Sequence, residues 1–471
     1  MRIIDEIYID GQFITPHGEE IADLYNPSTE ERIAAVRLGD IDDAQAAIAA
    51  AKQAFPAFAR TGKQDRIAML ERLGDAVSAR DAELTDAMAT EYGAPQYFTG
   101  FAVAHAASSF RHMAEVLRDY DFTRQIGRAE VTMLPIGVTA AITPWNSNYG
   151  FICAKLATAI AAGTTIVIKP SEMSAMQTQL LTECLHVADL PKGVFNIVNG
   201  RGDVVGAEFS RHPDVAKVTF TGSTAVGKQV LRAGAETLKR VTLELGGKGP
   251  NIILDDADLD LTIPTVLRVG LMNSGQACIA GTRILVSEAR KAEVIERLRA
   301  EIATFKPGMP SDPAVMIGPM VSQKQYERVQ AYITLGVNEG AALIAGGPGR
   351  PQGISHGWFS RPTIFANVTN DMRIAREEIF GPVLSVLSYQ DEEEAIHIAN
   401  DTSYGLQAYL HGTDMERMQK LASRLDCGRV VINGAPHEPL APFGGMKQSG
   451  IGREFGSFGL EAFLEPKAVL A

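Results

Sequence analysis

The stretch Asn273-Ser-Gly-Gln-Ala-Cys-Ile-Ala-Gly281 sets one cysteine among small residues, directly before the strand-like run Thr282-Arg-Ile-Leu-Val286. Small neighbours leave room for a ligand and let backbone approach closely. A thiolate at Cys278 can attack a carbonyl carbon, and a helix start or a bound cation nearby would lower the thiol pKa. The same residue also reads as an inert packed thiol, the usual state of a free cysteine. Upstream, Val241-Thr-Leu-Glu-Leu-Gly-Gly-Lys248 puts one carboxylate, Glu244, in an apolar strand that ends on two glycines. A carboxyl in such surroundings has a raised pKa and can act as general base; half of a structural ion pair is the competing reading. Thr143-Pro-Trp-Asn146 offers a side-chain amide at a strand end, suited to donate to a developing oxyanion, with Trp145 either core or ligand-facing.

Two further stretches suit a nucleotide. In Val218-Thr-Phe-Thr-Gly-Ser-Thr-Ala-Val-Gly227, Gly222 permits a tight turn, and the helix start behind Ser223 presents free N–H groups to a phosphate. A plain capped helix after a strand has the same pattern, because the spacing is not that of a dinucleotide fingerprint and no Walker lysine follows. Lys169-Pro-Ser-Glu172 ends another strand of the same series, where a lysine and a carboxylate could hold the hydroxyls of an adenosine ribose. A 2′-phosphate would meet the charge of Glu172, which favours NAD over NADP.

The elements that position these residues follow from periodicity. Apolar residues at helical spacing predict helices over Ile41–Phe58, Lys63–Arg80, Ala82–Thr90 and Gln96–Val116, a helical N-terminal layer. From Pro135, strands Gly137–Ile142, Thr164–Lys169, Val194–Val198, Val215–Thr221 and Val241–Leu245 alternate with helices Tyr149–Ala162, Gln177–Ala188 and Thr224–Ala235, the signature of a doubly wound parallel sheet. A second α/β series follows the cysteine: strand Arg283–Val286, helices Ala289–Phe305 and Lys324–Asn338, strands Ala342–Ala345 and Leu384–Tyr389, helix Glu392–Asn400 and strand Gly428–Ile432. The boundary falls at Gly246-Gly247.

At 471 residues the chain exceeds one ordinary core and fits two or three sub-domains. With 46% hydrophobic and 21% charged residues it has a globular composition. A net charge of −12 without a dense basic block argues against nucleic acid. No apolar run approaches the ~18 residues of a membrane span, and the start has acids where a signal peptide would be apolar, so a cytoplasmic protein is expected. Cys153, Cys184, Cys278 and Cys427 lie far apart, so neither a disulfide framework nor a metal site is suggested.

In order along the chain, Pro144-Trp-Asn146, Lys169-Pro-Ser-Glu172, Phe220-Thr-Gly-Ser-Thr224, Leu243-Glu-Leu-Gly-Gly-Lys248, Gly275-Gln-Ala-Cys278, Glu378-Ile-Phe-Gly-Pro382, Asn400-Asp-Thr-Ser-Tyr-Gly-Leu406 and Pro442-Phe-Gly-Gly-Met-Lys-Gln-Ser-Gly450 resemble the NAD(P)-dependent aldehyde dehydrogenase superfamily. The resemblance implies a Rossmann-like NAD-binding domain (1–118 and 135–245), a catalytic α/β domain (246–450) and a small β arm for oligomerisation (119–134 and 461–471), in a homodimer or homotetramer. It implies Cys278 as nucleophile, Asn146 as oxyanion donor and Glu244 as the base that hydrolyses a thioester, so that an aldehyde leaves as its acid. Lys169, Ser171 and Glu172 would meet the adenosine ribose, Gly222 and Ser223 a phosphate, Glu378 and Phe380 the nicotinamide ribose, with Trp145 and Leu245 beside them.

Coenzyme-A-acylating members typically lack the carboxylate found here at Glu244, so hydrolysis is favoured over acyl transfer. A silent nucleotide-binding relative is the third reading. After Asn146 the chain departs from many members, with Gly150 and Ala154 one and two helical turns on. With Phe151, Ala277 and a small Ala106 on the opposite wall, these imply a roomy tunnel for an aromatic, heteroaromatic or long-chain aldehyde, narrowed by Ile279 beside the nucleophile. His437 and Phe443 would stand at its mouth. An ω-semialdehyde is the alternative substrate, although no arginine is evident in the sequence for a distal carboxylate.

Overall fold

In the computed structural model, which describes residues 2–470, the chain builds two large sheets and two small three-stranded ones. The first large sheet has eight strands in the order Gly450–Ile451, Arg240–Glu244, Val215–Thr221, Val138–Ile142, Ile166–Lys169, Phe195–Ile197, Ile7–Ile9, Gln12–Ile14. Its five central strands are parallel. Alternation along them separates two cores: Ile166 and Ile168 pack with helices Lys63–Ser78, Gln96–Asp119 and Asn148–Ala162, whereas Val167, between them, packs with helix Ile41–Phe58. Period two sends neighbours to opposite faces, and each Val or Ile so buried contributes roughly 1.5–3 kcal/mol. Asp40 caps Ile41–Phe58 by accepting from the backbone of Asp42 and Asp43, the role its acid cluster suits.

The N-terminal layer is not wholly helical. Residues before Ile41 form five strands, of which Ile7–Ile9 and Gln12–Ile14 extend the first sheet antiparallel through the pair Ile197↔Tyr8. Strands of three residues show no readable period in sequence.

The second large sheet runs Ala342–Ala345, Thr363–Ala366, Val383–Tyr389, Arg283–Ser287, Pro250–Ile253, Gln407–His411, Arg429–Ile432, all parallel except the first. Strands Pro250–Ile253, Thr363–Ala366 and Gln407–His411 and helices Leu259–Leu271 and Met415–Ala422 add to the elements expected from sequence. One of the small sheets pairs Leu464–Leu470 antiparallel with Ala129–Pro135 along seven residues, and Thr123–Ile126 with the latter. Among the described residues no helix is long and apolar enough to cross a membrane.

Two features position the site. The order of the first sheet reverses between Val138–Ile142 and Val215–Thr221, and doubly wound sheets bind ligands beyond the strand ends at such a switch. The edge strand Gly450–Ile451 returns from the second half of the chain to pair with Leu243 and Glu244, fixing the carboxylate at the seam between the two halves.

Candidate active site

Thr143, Pro144, Phe220, Thr221 and Gly222 continue the two strands at the switch and open onto two cavities. The first, about 280 Å³, is lined by Trp145, Asn146, Phe151, Ser223, Glu244, Leu245, Cys278, Glu378 and Phe380 among others. The second, about 600 Å³ and largely apolar, is lined by Lys169, Ser171, Val226 and Val230, and both share Gly222. Cys278, Glu244 and Asn146, distant in sequence, thus face one space.

The cysteine loop is held in an unfavourable backbone. Asn273, Ser274 and Gly275 have φ of 50°, 58° and 72°, a left-handed run that costs a residue with a side chain roughly 1–2 kcal/mol. Surrounding bonds over-determine it. Asn273 Nδ2 donates to the Asn146 carbonyl at 3.0 Å, Ser274 Oγ accepts from the Gly318 amide at 2.8 Å, and Gln276 donates to the Pro319 carbonyl. Gly275 must be glycine also for space, since a Cβ would lie 2.1 Å from the Gly381 carbonyl oxygen. Asn146 Nδ2 donates to the Gln276 carbonyl at 3.0 Å, which ties the amide to the loop bearing the thiol. Burial, then the nearby Glu378 and Glu244 carboxylates, push the Cys278 thiol up to about 12.

Glu244 is 3% exposed, and neither carboxyl oxygen has a hydrogen-bond partner. Burial and then the Glu454 carboxylate hold its pKa well above the usual carboxylate range, against opposing pulls from Lys155 and Arg453. Glu454 is itself ion-paired with Lys155 and accepts from Thr219 Oγ1 at 3.1 Å, and Lys155 also donates to Thr219 at 2.9 Å. This pair behind Glu244 was not singled out in the sequence. Its only trace there is a lysine within the apolar helix Asn148–Ala162.

The two glycines after Glu244 let the chain pass between Glu378 and Cys278. A Cβ on Gly246 would lie 2.3 Å from Glu378 Oε2, and one on Gly247 would lie 2.5 Å from the Cys278 carbonyl oxygen. The Gly247 amide donates to Glu378 Oε1 at 3.0 Å. Burial raises the Glu378 carboxyl to about 7. Gln325 and Arg328, also missed in the sequence, line the same cavity and donate to the carbonyls of Phe380 and Glu378, which fixes that turn. Trp145 meets Phe380 edge-on, ring centroids 5.4 Å apart.

On the nucleotide side, Ser223 caps helix Thr224–Ala235 by accepting from the Val226 amide. Lys169 Nζ donates to Glu172 at 2.9 Å; burial would raise the Glu172 carboxyl, and Lys169 outweighs it and keeps the pKa low. Thr143 Oγ1 and Thr221 Oγ1 are buried without partners at the switch. A dinucleotide fits this donor set: free hydroxyls at the strand ends, a capped helix N-terminus, a paired lysine and carboxylate, and an apolar slot.

The remaining expected residues divide. Ala106 is fully buried in the helical core and lines neither cavity; its neighbour His105 lies 3.5 Å from where a Cβ of Gly150 would sit. Ala154 lines two small spaces of about 20 and 10 Å³, both also lined by Phe455. The room left by the small residues is therefore partly filled by rings. Ala277 and Ile279 are half-buried beside the thiol, and the Ile279 carbonyl accepts from Tyr409 OH at 2.9 Å. His437 packs against His105 and Phe455, and Phe443 against Phe455. An arginine does stand here: Arg429 lies over Phe443 and donates to His437. Cys153 is buried, and burial raises its thiol pKa.

Thiol, carboxyl and amide around a switch-point cleft are what an enzyme needs to hold a nucleotide and work on a carbonyl through a cysteine. The model of the Aldehyde dehydrogenase family matches residues 13–469, and the chain belongs to that family. It is 45% identical to the 3-succinoylsemialdehyde-pyridine dehydrogenase of a Pseudomonas species, over 100% of this chain and 99% of that protein. Its structure superposes with a TM-score of 0.98 on a cysteine-to-alanine mutant of aldehyde dehydrogenase C from Pseudomonas syringae, solved with NAD+ and octanal, at 43% identity and covering 99% of this chain and 96% of that one. Betaine aldehyde dehydrogenase from Staphylococcus aureus, solved with NAD+, matches with a TM-score of 0.95 at 34% identity, covering 99% and 94%.

Proposed function

We propose that this enzyme, an NAD-dependent aldehyde dehydrogenase, works by the hydrolytic route, with Cys278 as nucleophile, Asn146 as oxyanion donor and Glu244 as base. The observation that carries the reading is Glu244, buried, unpartnered on both oxygens and opening on the same cavity as Cys278. Sulfur adds to the aldehyde carbon as the carbonyl π bond opens onto oxygen, which the Asn146 amide stabilises, and the thiol proton ends on that oxygen to give a thiohemiacetal on Cys278. NAD, when bound, would supply the hydride acceptor. Loss of hydride from that carbon and of the hydroxyl proton leaves a thioester on Cys278; Glu244, made a stronger base than an ordinary carboxylate by its burial, deprotonates a water that attacks it, and the acid departs as the thiol is regenerated.

Lys169, Ser171, Glu172, Gly222 and Ser223 would hold the adenosine and phosphate end of the cofactor, and Trp145, Leu245, Glu378 and Phe380 the nicotinamide end. Residues 1–118 and 135–245 form the cofactor domain in this reading, 246–450 the catalytic domain, and 119–134 with 461–471 the arm. Exposed apolar residues on the arm, Ile126, Leu134 and Val469, support its burial in a homodimer or homotetramer. A cytoplasmic location accords with four unpaired cysteines. For the substrate, the rings of Phe151, Phe443, Phe455 and His105 support an aromatic, heteroaromatic or long-chain aldehyde, and the relative solved with octanal supports a long chain; the relative named for a pyridine-bearing semialdehyde supports a heteroaromatic aldehyde and the ω-semialdehyde alternative alike. The test is reduced-cofactor formation with NAD and no coenzyme A. Wild type should turn over steadily and Glu244→Gln should stall after one equivalent; unchanged turnover in the variant, or dependence on coenzyme A, would overturn the route.

A further inference from the structure

Arg429 begins the edge strand Arg429–Ile432 of the second sheet and pairs in register with Gln407. Its Nε donates to Gln407 Oε1 at 2.7 Å; Gln407 Nε2 donates to Tyr409 OH at 2.5 Å; and Tyr409 OH donates to the carbonyl of Ile279, the residue after the nucleophile. Three hydrogen bonds therefore anchor the guanidinium to the cysteine loop. On its other side the guanidinium carbon lies 5.0 Å above the Phe443 ring, and Nη1 donates to His437 Nδ1 at 2.9 Å. Arginine keeps its proton, so His437 must accept and is neutral.

No carboxylate pairs with Arg429 among the described residues, and its Nη2 has no hydrogen-bond partner. This differs from the buried Arg283, whose nitrogens all donate to backbone carbonyls or to Asn370. Arg429 is half-buried and its nearest neighbours are an amide, a neutral imidazole and an aromatic face. Part of Arg429 stays exposed, so the unpaired Nη2 edge is open to an incoming hydrogen-bond acceptor. Phe443 links it to the chemistry: the next residue, Gly444, approaches Glu244 so closely that a Cβ would sit 2.7 Å from Oε1.

We infer that Arg429 is a specificity-determining residue, whose free guanidinium edge binds a hydrogen-bond acceptor, a carboxylate or a ketone carbonyl, at the remote end of the aldehyde substrate. The inference rests on the aldehyde-oxidising reading of the Cys278 cavity. An acceptor supplies the partner that the protein withholds, and a hydrogen bond donated by a charged guanidinium is stronger than one between neutral groups.

The experiment compares kcat/KM of wild type, Arg429→Gln and Arg429→Lys on three aldehydes: a four-carbon aldehyde with a terminal carboxylate, 4-oxo-4-phenylbutanal, and 4-phenylbutanal, which has no remote acceptor. Arg429→Gln should lose roughly 10- to 100-fold on at least one acceptor-bearing aldehyde, through KM, and stay within about threefold on 4-phenylbutanal, with Arg429→Lys recovering part of the loss. Which acceptor arm falls tells carboxylate from ketone. Equal loss on all three would assign Arg429 to the fold or the thiol and overturn the inference, as would no loss. A second readout needs no variant: butyrophenone should compete with the aldehyde at least tenfold better than butylbenzene on wild type, and equal inhibition overturns the inference. Wild type that oxidises none of the three with NAD would instead overturn the parent reading, a result distinct from turnover without discrimination.

Discussion

Burial and the nearby Glu378 and Glu244 carboxylates keep the Cys278 thiol protonated. Moving the Cys278 thiol from the usual 9.0 to about 12 makes its thiolate roughly a thousandfold scarcer at neutral pH. Basicity partly compensates, because thiolate attack on a disulfide speeds up with a slope of roughly 0.4–0.5, returning about 15- to 30-fold. The net expectation is reaction with 4,4′-dithiodipyridine roughly 30- to 60-fold slower than that of a free cysteine. The assay is release of the thiopyridone, with Cys278→Ala subtracted to remove the other three thiols. The rate should climb about tenfold per pH unit through pH 9 without levelling, since the thiol stays protonated across that range. Glu378→Gln removes the carboxylate that opposes the thiolate most after burial, and at pH 8 it should speed the reaction. A plateau below pH 9, or a neutral-pH rate equal to that of free cysteine, would refute the reasoning.

Gly246→Ala drives a methyl into the space 2.3 Å from Glu378 Oε2 and displaces a carboxylate that accepts from the Gly247 amide; the KM for NAD should rise roughly 10- to 100-fold, and an unchanged value would remove Glu378 from the cofactor site. Glu172→Gln should shift the ratio of kcat/KM for NADP over NAD upward about tenfold, because the 2′-phosphate no longer meets a like charge; no shift would mean that other groups set the preference. His411, buried with its Nε2 2.8 Å from Asn251 Oδ1, has its pKa lowered to about 4 by burial. Below pH 6.5 the unfolded chain takes up a proton that the folded chain refuses, so stability should fall as pH drops from about 6.5 toward 4, by up to roughly 1.4 kcal/mol per pH unit. His411→Gln should flatten that dependence in urea titrations; an identical slope in the variant would place the acid lability elsewhere.

Much of the architecture was legible because period and length agree. Helices Ile41–Phe58, Thr224–Ala235 and Glu392–Asn400 and strand Val215–Thr221 have the limits that their apolar spacing gives. Strands Ile7–Ile9 and Gln12–Ile14 were not legible, since three residues carry no period and only pairing with Phe195–Ile197 defines them. Cys278, Glu244 and Asn146 stood out as reactive types in apolar or glycine-rich settings, and the cavity brings all three together. Arg429, Lys155, Glu454 and Tyr409 did not, because each acts through contacts between strands and helices far apart in sequence: Lys155 meets Glu454, and Tyr409 reaches Ile279. Ala106 was expected at a wall and lies in the core because the helix Gln96–Asp119 turns His105 toward Gly150 instead. Rotation about a helix axis is fixed by packing, which spacing alone determines only to within a residue.

The most direct test of the central claim is peptide mass spectrometry of Glu244→Gln quenched after mixing with NAD and an aldehyde that wild type oxidises. The account predicts an acyl group in thioester linkage on the peptide carrying Cys278, close to one per subunit, absent without NAD and far less abundant in wild type. No adduct, or an adduct on Cys427 or another cysteine in place of Cys278, would contradict it.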